Sequence, residues 1–162
     1  MIYDYNMYKY ILDHLPNKSS FRFVDNISSI DENGVTGEYT LREDAFFYED
    51  HFIGNPVTPG IILTEIMAQI GLQSLAIYLL LEESKEMNRD DGTTLFPLLT
   101  ATDISFYKIV LPGQKMTVVS KKEFFRFGKL KCYVEMTDEK KNLVAKGMIA
   151  GMIKAFVKTK LS

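Results

Sequence analysis

Two proton-exchanging side chains bracket a tight turn in the stretch His51 to Gln73, which reads HFIGNPVTPGIILTEIMAQIGLQ. His51 opens it, a turn carrying Gly54, Pro56, Pro59 and Gly60 follows, and an apolar run then holds Glu65. An imidazole titrates near neutral pH, and a carboxyl taken out of water favours its protonated form. From Val57 to Leu81, Glu65 is the sole charged side chain. Such an acid must be paired, hydrogen-bonded or protonated. On a helix, Gln69 and Gln73 fall on the same face as Glu65 and can bond the carboxyl or each other. That polar stripe reads either as one wall of a reactive pocket or as a satisfied structural group. His51, ahead of a Gly/Pro turn, reads either as chemistry or as a turn-stabilising residue. Taken alone, the residues leave both pairs of readings open.

The element that must position Glu65 is a buried helix. Its run is apolar all round, yet Thr58, Thr64, Gln69, Gln73 and Ser74 make it too polar for a comfortable membrane span. Pro59 fixes φ near the first helical position, and Gly60 leaves the backbone open to close approach. The helix is predicted over about 60–82.

The pattern His51-Phe52-x-Gly54-x-Pro56-x-x-Pro59-Gly60, then Glu65, then Ala68-Gln69-x-Gly71 resembles the β-hydroxyacyl-acyl carrier protein dehydratases of fatty acid synthesis. The likeness is specific, because many positions recur at fixed spacing. It extends to Leu15, Pro16, Phe21, Val24 and Asp25 near the N-terminus, and to Asp103, Phe106 and Leu111-Pro112-Gly113. Two departures stand out. Asn17 and Lys18 replace a usual His-Arg pair, and Ile53 replaces a frequent proline.

The resemblance implies an α+β hotdog fold, an antiparallel sheet wrapped around one long central helix. It implies His51 as the base that takes a proton from C2 of a 3-hydroxyacyl thioester. Glu65 takes the place of the acid that protonates the departing hydroxyl. The amides at the helix start, Gly60 above all, would hold the thioester oxygen. Substrate contacts are expected at Pro59, Gly60, Ile61 and Gln69. Ile61, Ile62, Ile66, Met67 and Ile70 are candidate tunnel walls, with plain core as the competing role. The reaction needs no cofactor. The partners implied are an acyl carrier protein or coenzyme A thioester and a second copy of the chain. His51 and Glu65 of one site would come from two subunits of an obligate homodimer, with a hexamer built as a trimer of dimers as the higher assembly. Hotdog thioesterases and non-catalytic acyl-thioester-binding proteins are the rival readings.

Composition sets the frame. The 162 residues suffice for one domain over 1–162, and 46% hydrophobic with 25% charged residues is ordinary for a soluble protein. A net charge of -2 argues against general nucleic-acid binding. Cys132 is the single cysteine, read as a small buried hydrophobe. The only histidines are His14 and His51, so no metal-ligand spacing appears. No glycine pattern for a nucleotide is present. The N-terminus carries Asp4 and lacks a basic segment with a long apolar core, so the cytoplasm is the expected compartment.

Periodicity predicts an amphipathic helix over 6–15, ended by Pro16, and strands over 21–30 and 35–41 joined by an Asn33-Gly34 hairpin. The polar stretch 82–94 reads as the helix end and a loop. Strands follow over 96–108, 116–127 and 129–137, with turns at Pro112-Gly113 and 138–142. The segment 143–157 has helical composition weakened by Gly147 and Gly151. Lys121, Lys122, Arg126, Lys129 and Lys131 cluster around a hairpin, as a carrier-docking patch or a solvated face.

Overall fold

The computed structural model describes residues 2–84 and 93–157. Helix α1 (Ile2–His14) buries Ile11 and is followed by a short 3-10 turn, Ser19–Phe21. The apolar run then builds one long helix in three consecutive parts: α2 (Gly60–Ala68), a π-helical segment (Gln69–Ser74) and α3 (Leu75–Ser84). Pro59 is the N-cap at φ -59, with no capping side chain. Gly60–Glu83 is long and apolar enough to cross a membrane by composition, and it lies mostly inside the fold.

The widened middle turn was not visible in the sequence. A π turn shifts the backbone bonds from i→i+4 to i→i+5. Two hydroxyls bond its carbonyls: Ser74 Oγ donates to Gln69 O (2.9 Å) and Ser120 Oγ to Gly71 O (2.8 Å).

Around this helix runs a six-stranded antiparallel sheet: β1 (Asn26–Asp31), β2 (Gly34–Thr40), β3 (Thr93–Phe106), β4 (Lys115–Arg126), β5 (Lys129–Asp138) and β6 (Leu143–Val157). Their order is β1-β2-β4-β5-β6-β3. Alternation along the strands turns Val35, Tyr39, Met116, Val118, Leu130, Cys132, Val134 and Met136 inward, where they join Ile62, Ile66, Ile70, Leu72 and Leu75 in one core. This is the hotdog arrangement that the resemblance implied.

Three expectations need correction. The strand expected over 21–30 begins only at Asn26, because the backbone of Phe21 and Phe23 bonds a side chain of the central helix instead of a neighbouring strand. The segment 143–157 is a strand, paired on both sides by β5 and β3. The hairpin near Asn33-Gly34 forms, but its turn is Glu32-Asn33: Asp31 Oδ1 accepts from the N–H of Asn33 (2.7 Å) and of Gly34 (3.1 Å). Residues 85–92 of the expected loop lie outside the described residues.

Gly34 serves close approach instead. A Cβ there would lie 2.1 Å from Ser120 O on the facing strand β4. Gly34→Ala is therefore expected to lower stability by about 2 kcal/mol or more through overpacking. A urea unfolding midpoint equal to that of the wild type would contradict this.

Candidate active site

The turn that carries His51 is pinned by its own backbone. His51 N–H donates to Phe47 O (3.2 Å), Asn55 N–H to Phe52 O (2.9 Å) and Val57 N–H to His51 O (2.9 Å). Thr58 N–H donates to Val110 O (2.8 Å), which ties the turn to the loop after β3. Buried Tyr48 and Thr58 share a hydrogen bond of 2.5 Å.

The His51 ring is partly buried and stacks on Phe52, with centroids 4.1 Å apart. Its Nδ1 lies 2.8 Å from Val57 O. A carbonyl only accepts, so Nδ1 carries the proton and Nε2 of the neutral ring keeps its lone pair. The contact leaves Nε2 as the ring atom able to accept a hydrogen bond.

Glu65 is partly buried on α2. Gln69 lies one turn on and donates from Nε2 to Glu65 Oε1 (2.7 Å). The same amide donates to Phe21 O (2.9 Å) and accepts from Phe23 N–H (2.7 Å) at its Oε1. Burial pushes the Glu65 carboxyl above the usual range, and the Gln69 hydrogen bond pulls it part of the way back. Gln69 is fully buried, so its amide faces the chain rather than the substrate contact expected of it. The polar stripe stops there: Gln73 is buried with no partner for its Oε1 among the described residues.

At the helix start, Gly60 is exposed and Pro59 buried. The Phe106 ring bounds the space above Gly60, where an added Cβ would meet it at 3.4 Å, an ordinary contact. Packing alone therefore does not demand glycine at this position. Ile61 is 77% exposed, whereas Ile62, Ile66, Met67 and Ile70 are core. Phe52, Ile53, Phe106 and Ile109 add further exposed apolar side chains on the elements that meet here. No hydrogen bond or ion pair joins His51 to Glu65 within one copy. Asn17, at one of the departures from the family pattern, has a buried Oδ1 with no partner among the described residues. Cys132 is buried, its thiol pushed up to about 11. Among the described residues no group of His, Cys, Asp or Glu could hold a metal ion.

The raised Glu65 pKa has a thermodynamic sign. The folded state holds the proton more tightly, so this contribution to stability is full below the ordinary glutamate value of 4.5. It is lost as pH rises through the folded-state value. Glu65→Gln keeps an acceptor for Gln69 and cannot ionise. Its melting temperature should match the wild type below pH 4.5 and exceed it at neutral pH; equal melting at both would refute the assignment.

Comparison with known proteins identifies the family. Residues 15–140 match the FabA-like domain family. A 3-hydroxyacyl-[acyl-carrier-protein] dehydratase FabZ from Lactobacillus helveticus is 32% identical over 135 residues, 80% of this chain and 82% of that protein. One from Caldicellulosiruptor saccharolyticus is 33% identical over 131 residues, covering 77% and 86%. Among solved structures, the dehydratase heterocomplex ApeI:P from Xenorhabdus doucetiae superposes with TM-score 0.68 at 14% identity, over 92% of this chain and 91% of that one. A hypothetical thioesterase protein with coenzyme A from Streptococcus pneumoniae gives 0.56 at 12%, over 98% and 100%. At such low identity the two structures speak for the fold alone. With its central helix, its His51 turn and a family match across most of its length, the chain belongs to the FabA-like dehydratase family.

Proposed function

We propose that the protein is a 3-hydroxyacyl-[acyl-carrier-protein] dehydratase, converting a 3-hydroxyacyl thioester to the trans-2-enoyl thioester and water. The observation that carries this reading is the opposite preparation of two proton-handling groups. His51 has Nε2 free to accept, and Glu65 is biased towards keeping its proton. The FabZ proteins at about 32% identity carry the same activity in their names.

In the reaction, His51 Nε2 removes a C2 proton while Glu65 gives its proton to the C3 hydroxyl, which leaves as water. The uncapped amides of Gly60 and Ile61 face the thioester oxygen as negative charge builds on it. Gln69 is a positioning residue, holding Glu65 in place. Proton return from His51 to Glu65 resets the pair.

The site is completed by a second copy. Several observations support a homodimer. His51 and Glu65 share no bond within one copy. The apolar side chains around the helix start are exposed. Strand β3 leaves one long edge of the sheet open.

Incubation with 3-hydroxyacyl and trans-2-enoyl carrier thioesters should show interconversion. Release of free thiol would make the protein a thioesterase, and tight binding without either reaction would make it a binding protein. His51→Ala and Glu65→Gln should each lower kcat about a hundredfold or more. Co-expressing the two variants should restore about a quarter of wild-type activity, because mixed dimers keep one intact site of two. No recovery would place both residues of a site in one chain. Gly60→Ala should fold normally, since the Phe106 ring tolerates the methyl. It should nonetheless slow turnover about tenfold as the methyl meets the thioester oxygen; unchanged kcat would remove the helix start from the mechanism.

A further inference from the structure

The β4–β5 hairpin carries charge and apolar surface that the dehydratase reading does not use. Its outer part, 121–131, holds Lys121, Lys122, Arg126, Lys129 and Lys131 against Glu123, in a chain of net charge -2. Among the described residues none of these cations makes an ion pair. A bulge after Lys122 re-aims the strand, pairing Phe124 with Lys131 and Arg126 with Lys129. Phe124 is exposed, and Phe127 is 94% exposed at the tip.

The turn itself is the second observation. Phe127 and Gly128 form a two-residue connection with φ values of 51 and 71. Such turns favour Asn-Gly, and a bulky aromatic side chain at positive φ is uncommon. A strained backbone that keeps a large apolar ring in water points to a use for the ring.

The tip is remote from the helix start of its own copy. Phe106, whose ring lies over Gly60, is in register with Ala145, Ala145 with Met136, and Met136 with Val118. From Val118 to Arg126 the strand runs about 25 Å.

We propose that this hairpin tip docks on an anionic phospholipid bilayer. Phe127 and Phe124 enter the boundary between headgroups and acyl chains. The Lys and Arg stems lie along them with their charges at the phosphates. Two exposed rings flanked by cations that have no ion-pair partner among the described residues fit the apolar layer beneath an anionic headgroup surface. The surrounding cations match the negative lipid and not a neutral one.

The test is sedimentation of the whole protein with phosphatidylcholine vesicles, with and without phosphatidylglycerol. The protein should pellet only with the anionic vesicles, and less as salt rises. Phe127→Asn suits the positive φ, so the fold should survive, and it should weaken binding about tenfold. Lys129→Glu combined with Lys131→Glu should abolish pelleting. Failure of the wild type to bind anionic vesicles overturns the proposal, as does equal binding by these variants. Binding of an acidic carrier protein that is lost in the same variants, without vesicle binding, makes the tip a protein-docking surface and also overturns it.

Discussion

One buried amide holds the working part of this molecule together. Gln69 has no exposure to water, and its carboxamide serves three partners. Its two N–H bonds go to Phe21 O and Glu65 Oε1, and its oxygen accepts Phe23 N–H. Losing any one of these would leave a buried polar atom unpaired, at a cost of about 1–3 kcal/mol. The N-terminal segment, the central helix and the acid are therefore coupled. The bond also decides where the proton sits on Glu65. Oε1 accepts from Gln69, so in the neutral acid the proton belongs on Oε2, away from the amide. His51 is treated in a parallel way, with Val57 O fixing the proton on Nδ1. In both residues a neighbour takes up one polar atom and leaves the other for exchange.

The π segment shows what the fold concedes to keep that helix buried. Gly71 lies close against β4 and β5, where an added Cβ would be 2.9 Å from Val134 and 3.1 Å from Ser120. Such tight packing goes with a widened turn, and the hydroxyls of Ser74 and Ser120 bond carbonyls within it. The same widening takes Gln73 out of line with Gln69. The three-residue polar stripe suggested by simple helical spacing ends after two members. The remaining Gln73 oxygen is unpaired among the described residues.

Much of this was legible in the chain because single residues dictated it. Pro59-Gly60 marked the helix start, the lone acid marked the polar face of the helix where Gln69 bonds it, and strand alternation marked Val35 and Tyr39 as inward. What escaped notice depended on distant partners. The alternation of Phe21 and Phe23 mimics a strand, but their backbone groups are taken by an amide from the central helix. Gly34 looked like a turn residue, and its constraint comes from Ser120 across the sheet. The segment 143–157 has a helix-like composition, yet it lies between two strands that need its edges. Local propensity cannot report a partner that is remote in sequence.

The exposure of the central helix follows the same logic. A cylinder apolar on all sides is stable only where something covers it. From Ile66 onward the sheet does so, and Ile66, Met67 and Ile70 have no access to water. At the first turn the cover stops: Gly60, under the Phe106 ring, is exposed, and Ile61 protrudes. No side chain caps the helix amides at this place. A mouth for an acyl thioester needs apolar walls for the chain and bare amides for the carbonyl, and both are costly to leave in water. Substrate and a second copy would relieve the same uncovered surface. On the proposed reading, catalysis and assembly would make one physical demand on this end of the helix.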